Sequence, residues 1–199
     1  MIVWINGAFG GGKTHTAYEL VRRTEGTVLV DPELIGFGLQ RSMPSPTRID
    51  FQDLRSWREG VIEVLDAVER SGRYRAVVVP MTLVEPSYLD EVHGSQRGLG
   101  HELVHVALVA SPQTLRRRLR RRAAGVMKLE TWAMQQIDRC SAALATLDAH
   151  RVSNDDATLD VVVEEVARIA GLDLVRPRLG PWRAQLRRAR VAVDVIRWP

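Results

Sequence analysis

The sequence predicts a three-layer α/β domain, a five-stranded parallel sheet packed between helices. Three observations carry that expectation. Short, near-continuous apolar runs alternate with longer amphipathic ones, the pattern of strands buried on both faces and separated by helices. A glycine-rich turn follows the first apolar run and leads into a helix. The chain of 199 residues, 45% hydrophobic and 26% charged, suits one globular domain with a sizeable core. That composition excludes a disordered tail, a collagen-like fibre and a disulfide-stapled miniprotein. The one cysteine makes no internal disulfide, so a reducing compartment is expected. No apolar run approaches the about 18 residues of a membrane span. The opening Met1-Ile2-Val3-Trp4-Ile5 lacks a basic region and a small-residue cleavage site, so the expected location is cytoplasmic.

The elements follow in order. Ile2–Ile5 reads as a buried strand, 13–24 as a helix, and Thr27–Val30 as a second strand closed by Asp31-Pro32. A short helix is expected over 33–40 and a Pro- and Ser-containing loop over 42–48. Residues 51–71 read as one helix, with Leu54, Trp57, Val61, Val64, Leu65 and Val68 at helical spacing. Ala76–Val79 is a third strand, 86–97 a helix and Leu103–Val109 a fourth strand. A basic helix over 112–124, a break at 125–131 and a helix over 131–146 come next. His150–Ser153 is a weak fifth strand, and 158–170 a helix with an apolar side. Gly171, Pro177, Gly180 and Pro181 mark a boundary between a 1–172 domain and a 180–199 tail.

Gly7-Ala8-Phe9-Gly10-Gly11-Gly12-Lys13-Thr14 fits G-x-x-x-x-G-K-[ST]. Glycines let backbone N–H groups turn inward around phosphate oxygens without Cβ clashes. The helix N-terminus behind them adds free donors and partial positive charge. Lys13 reaches the β- and γ-phosphates and Thr14 offers its hydroxyl to Mg²⁺, so ATP and Mg²⁺ are the expected ligands of Gly7 to His15. All but two of the 28 basic residues are arginine, and Lys13 is one of the two exceptions. A flexible point charge is what that position requires.

A phosphate loop names a nucleotide site and not a reaction. No N-K-x-D motif is present, which counts against a GTPase. The third strand ends Val79-Pro80-Met81-Thr82, without the acid a motor ATPase uses to orient water. A small kinase needs a nucleotide cradle, a basic lid and an acceptor site. Six arginines fall within 116–122, and Arg118 and Arg122 are one turn apart. They are candidates to stabilise a transferring phosphoryl group, with Arg139 across the break, giving a lid at about 118–139. Most of that run must still be solvated. Asp31, at the carboxyl end of the second strand, is the candidate base for an acceptor hydroxyl. An N-cap role is the rival, since Asp31-Pro32 begins a helix.

The chain resembles the tunicamycin-resistance protein family. The resemblance lies in Ile2–Gly10 leading into Gly12-Lys13-Thr14, in Asp31-Pro32-Glu33, Gly36-Phe37 and Val79-Pro80-Met81-Thr82, and in Arg118-Leu119-Arg120 and Gln136-Ile137-Asp138-Arg139-Cys140. It implies a P-loop, nucleoside monophosphate kinase-like ATP-binding protein that protects bacteria from tunicamycin, a lipid-bearing uridine nucleoside. Chloramphenicol phosphotransferase and shikimate kinase belong to the wider set it is similar to. There a carboxylate matching Asp31 handles the acceptor hydroxyl, and lid arginines match Arg118 and Arg122. Adenine contacts near Ser153-Asn154-Asp155 are a further expectation.

The acceptor is expected between Asp31, the 33–58 segment and the end of the third strand. Phe37, Gln40, Arg41, Trp57 and Arg58 would line it over Met81 and Thr82, with core packing as the rival reading of Phe37 and Trp57. His105 and Cys140 read as core residues, and no His/Cys cluster has metal-ligand spacing. In 181–197, Trp182, Leu186, Ala189, Val193 and Ile196 share one helical face and Arg183, Arg187, Arg190 and Arg197 another. That basic amphipathic helix suits an anionic membrane surface or packing on its own domain. The net charge of +4 leaves a nucleic-acid-binding ATPase as a weak rival, and nucleic acid is not the expected partner. A monomer or a homodimer fits the length equally.

Overall fold

The computed structural model describes residues 1–122 and 127–180, together with Trp182, Leu186 and Arg187; for Arg122 and for 127–131 it describes the backbone alone. Five parallel strands form one sheet in the order β2-β3-β1-β4-β5. They are β1 (Ile2–Gly7), β2 (Thr27–Leu29), β3 (Ala76–Pro80), β4 (Leu103–Val109) and β5 (His150–Ser153). β1 is the central strand, and Ile2 through Ile5 expose nothing. A strand covered on both faces must be apolar at every position, which is why it reads as a continuous run.

Helices cover both faces: α1 (Lys13–Arg23), α2 (Pro32–Ser42), α3 (Arg55–Arg70), α4 (Pro86–Gly98), α5 (Pro112–Arg122), α6 (Met127–Thr146) and α7 (Leu159–Ile169). Val3, Ile5 and Val78 pack against Leu20 of α1 and Val162, Val163 and Val166 of α7. Ile2, Trp4 and Val79 pack on the opposite side against Trp57, Leu65, Leu89 and Val92 of α3 and α4. Leu115 and Leu119 of α5 meet Ile137, Cys140 and Leu144 of α6 in a third cluster beside Ala8 and Ala107.

Two expected boundaries change. The single helix over 51–71 is a 3-10 turn at Phe51–Asp53 followed by α3. Asp50 ends its continuity by accepting from the Gln52 N–H, 3.0 Å, and Leu54 adopts extended backbone between the two pieces. The helix expected from 131 already begins at Met127, and the start of the expected break at 125–131 lies outside the described residues.

The segment after α7 is bonded to the domain. The Val175 and Arg176 N–H groups donate to the Arg23 carbonyl at 2.9 and 3.1 Å. Arg23, buried, reaches Glu164 at 3.0 Å, and Arg178 pairs with the same carboxylate at 2.6 Å. Most of the expected 181–197 helix lies outside the described residues. Trp182 and Leu186 are exposed, and Arg187 donates to the Tyr18 carbonyl at 3.2 Å.

Candidate active site

The loop between β1 and α1 closes on itself. The Gly11 N–H donates to the Ala8 carbonyl at 2.9 Å, and a Cβ on Gly11 would lie 2.8 Å from that same oxygen. Backbone would have to move to admit any side chain there. Gly12 caps α1 in the left-handed region, φ 86°. A glycine-built turn that leads into a helix N-terminus fits a phosphate chain. Lys13 is buried and lays its ammonium 3.3 Å from the Ala8 carbonyl and 5.6 Å from the Phe9 ring centre. Thr14 and His15 stand half-buried in the first turn of α1.

Buried polar groups hold the loop in place. The Asn6 Oδ1 accepts from the Gly7 N–H at 2.8 Å and from the Leu83 N–H at 3.2 Å. Thr82 donates its hydroxyl to the Gly7 carbonyl at 2.8 Å. The residue that stands where an acid might have followed β3 therefore braces the loop. Asn154, after β5, donates to the Gly11 carbonyl. Its own backbone carbonyl accepts from Arg118 at 2.5 Å. Arg118 is thus fixed against the β5–α7 loop, beside the phosphate loop, and Asp155 fastens that loop to the Ser111 N–H at 2.9 Å. Asn154 and its neighbours, expected near adenine, hold together the loop and α5. No local signal singles out Asn154, which sits in the polar run Ser153-Asn154-Asp155-Asp156 after β5.

Asp31 takes the capping role. Its Oδ1 accepts from the Glu33 N–H at 3.0 Å and caps α2. Burial pushes its carboxyl above the ordinary value, while the Glu33 N–H and the Lys13 ammonium pull it back. The Lys13 charge is therefore felt at Asp31. Arg139, on α6, faces Glu85 at 3.5 Å, and its charge is felt at Asp50, whose carboxyl burial also pushes up. The side chain of Arg122 lies outside the described residues.

The structure corrects much of the expected acceptor lining. Trp57 exposes nothing; it is a core residue whose indole N–H donates to the Pro32 carbonyl at 2.9 Å, locking α3 to α2. Met81 is likewise buried among Trp4, Trp57 and Leu83. Thr82 is buried as a brace of the loop. The apolar face of α3 must be covered, and this is what covers it. Arg58 is committed to Glu91 at 2.5 Å and to the Gln52 carbonyl at 2.7 Å, and lies 4.3 Å from the centre of the Tyr88 ring. Gln40 donates to the Ile49 carbonyl at 3.0 Å. Phe37 meets Phe51 edge-on, 5.9 Å between centres, and Phe51 occupies the space a Gly36 side chain would need. Arg41 is exposed on the last turn of α2.

His105 and Cys140 are core residues as expected. His105 accepts from Asn6 at 3.2 Å and donates to the Asp148 carbonyl at 3.2 Å, a neutral tautomer with no place for a second proton. Burial holds its pKa down at about 4 and that of the adjoining His93 at about 3. Burial raises the Cys140 thiol, which suits packing and not nucleophilic attack. Among the described residues no group of His, Cys, Asp and Glu could hold a metal, and no helix is long and apolar enough to cross a membrane. An aromatic residue absent from the expected lining is Trp132 of α6, which meets Phe9 of the phosphate loop at 5.0 Å between ring centres.

Comparison with known proteins agrees with this architecture. A family profile described as an AAA domain matches residues 2–145. No curated protein matches the sequence. Among solved structures, the tunicamycin resistance protein of Deinococcus radiodurans is similar with 23% identity and a TM-score of 0.69, over 88% of this chain and 99% of its own. A gluconokinase from Sinorhizobium meliloti 1021 has 21% identity and a TM-score of 0.60, over 85% and 91%. A shikimate kinase from Bacteroides thetaiotaomicron has 16% identity and a TM-score of 0.55, over 86% and 99%.

Proposed function

The chain belongs to the AAA-domain family, and from that premise we propose that it is an ATP-dependent phosphotransferase acting on an alcohol group of tunicamycin or a related uridine nucleoside compound. One observation carries the reading. Lys13, buried in a glycine-built phosphate loop, shares the carboxyl edge of the sheet with Asp31, a carboxylate made more basic by burial. Neighbours named as kinases support phosphoryl transfer, and the name of the Deinococcus neighbour supports the acceptor.

The residues divide the work. The Gly7–Thr14 loop binds the triphosphate through its amides, and Lys13 offsets charge on the β- and γ-phosphates. Thr14 would hold Mg²⁺, which when bound neutralises phosphate charge. Asp31 takes the proton of the acceptor hydroxyl through its second oxygen. The hydroxyl oxygen then bonds to the γ-phosphorus, the bond to the bridging oxygen breaks, and ADP leaves. Arg118 from the β5–α7 side and Arg139 from α6 supply cations on two sides, with Arg122 as the third lid candidate. Phe37, Gln40 and Arg41 on α2 remain at the acceptor side.

Mass spectrometry of tunicamycin incubated with protein, ATP and Mg²⁺ tests this. The expected product is heavier by one phosphoryl group and is absent with Lys13→Ala. Unmodified drug that is retained only when ATP is present would replace this reading with ATP-dependent sequestration. The missing acid after β3, where Thr82 stands, favours that second reading. The proposal extends to the 1–172 domain and a basic tail over 180–199 that packs on the domain, as the Arg187 bond to the Tyr18 carbonyl supports, or meets an anionic membrane. Trp182 and Leu186, exposed and four residues apart, support the tail reading. Salt-sensitive vesicle binding lost on deleting 181–199 tests it.

A further inference from the structure

The acceptor cleft lacks the aromatic platforms that the sequence suggested, because Trp57 is buried in the core and Phe37 leans on Phe51. One large exposed aromatic does stand beside the phosphate loop. Trp132 lies near the start of α6, 42% exposed, off the buried stripe of Ala133, Ile137, Cys140 and Leu144. Its exposure is not slack. The Phe9 ring meets it at 72° with centres 5.0 Å apart, and Phe9 in turn carries the Lys13 ammonium 5.6 Å from its own centre. The indole is therefore held in register with the phosphate loop.

Trp132 and Arg139 are seven residues apart, two turns of one helix, and so share a face. Arg139 on that face reaches Glu85, which follows β3. The same face thus looks across the carboxyl edge of the sheet, from the phosphate loop to the loop after β3. An indole fixed at one end and half open to solvent offers a flat apolar surface at low entropic cost. Core packing does not account for it, since the core stripe of α6 is complete without it.

We propose that Trp132 is the stacking platform for a planar ring on the acceptor, so that the site takes acceptors built on a heteroaromatic ring in preference to non-aromatic polyols. This rests on reading the cleft as the acceptor side of a phosphotransferase. It makes Trp132 a specificity residue and leaves the proton transfer at Asp31.

Equilibrium dialysis with uridine, cytidine and gluconate tests it, the nucleotide site being saturated with a non-hydrolysable ATP analogue. Wild type is expected to bind at least one of the nucleosides more tightly than gluconate. Trp132→Ala should weaken that nucleoside by about 5- to 150-fold, the range for loss of one base-stacking aromatic. Trp132→Phe should stay within about fivefold of wild type, and both variants should bind the ATP analogue as wild type does. Nucleoside binding unmoved in Trp132→Ala, gluconate preferred over both nucleosides, or no nucleoside bound at all would each overturn the platform. ADP release, measured separately, distinguishes the two levels. Release with gluconate that ignores Trp132→Ala keeps the phosphotransferase and removes the platform. Nucleoside binding through Trp132 without ADP release with any acceptor keeps the platform and removes the phosphotransferase.

Discussion

Lys13 carries a full charge into a buried position, and its ammonium rests on a carbonyl of its own loop. A buried ammonium at the N-terminus of a helix, behind a glycine-built loop, suits a phosphate anion. Lys13→Ala should therefore abolish nucleotide binding, read by titration with ATP, while leaving the fold intact. Asp31 divides its two oxygens between capping α2 and the reaction. Asp31→Asn keeps an oxygen for the cap but loses the base. It should lower kcat by about 10²- to 10⁴-fold with KM for ATP unchanged, as checked by steady-state ADP release. A fall in thermal stability with unaltered kcat would instead make Asp31 a cap alone. Gly11→Ala places a carbon 2.8 Å from the Ala8 oxygen and should reopen the loop, with ATP affinity lost.

At the scale of elements, Asn154 joins three pieces that the chain keeps far apart. It touches Gly11 before α1, Arg118 on α5 and, through its N–H, the Val109 carbonyl at the end of β4. Removing its side chain leaves buried polar groups unpaired. Asn154→Ala should cost about 1–3 kcal/mol of stability. It should also weaken ATP binding, because the Gly11 carbonyl loses its side-chain donor and Arg118 its 3.3 Å contact with the Asn154 Oδ1, while the Arg118 bond to the Asn154 backbone carbonyl remains. Denaturant midpoints and ATP titrations on the same variant check both. The helix-to-helix lock from Trp57 to the Pro32 carbonyl belongs to this scale too. Trp57→Phe should lower stability by a similar amount and leave acceptor KM unmoved.

Across the whole molecule, the buried pair of His93 and His105 couples stability to pH. Their rings meet at 4.8 Å between β4 and α4, and Trp4 also meets His93 edge-on at 4.8 Å. Folding depresses both pKa values from the ordinary 6.5, to about 3 and about 4. The unfolded chain therefore takes up these protons first. Stability is complete above pH 6.5 and falls as pH drops below it, by about 1.4 kcal/mol per pH unit for each ring, until the folded pKa is reached. The raised carboxyls of Asp31 and Asp50 act in the opposite sense. The histidine contribution is thus read as the difference between wild type and His105→Gln in urea midpoints from pH 7 to 5. The variant should show the shallower fall.

Local chemistry determined the architecture. Continuous apolar runs alternating with amphipathic ones fit strands buried on both faces of a parallel sheet, and β1 proves to be its central strand. The phosphate loop was legible for the same kind of reason, since backbone sterics and a helix terminus depend on neighbours along the chain. The Asp31 cap was legible because a cap depends on neighbours along the chain. The acceptor side was not. Whether Trp57 or Trp132 faces the cleft is decided by which helix face the sheet covers, and periodicity within either helix does not say which aromatic that leaves exposed. Tertiary packing buried Trp57 against Trp4 and Leu65, tied Arg58 to Glu91, and brought Trp132 of α6 onto Phe9 of the phosphate loop. It also set Asn154 against Gly11 across 143 residues of chain. Contacts of that separation are fixed by the order of the strands, which appears only when the sheet is assembled.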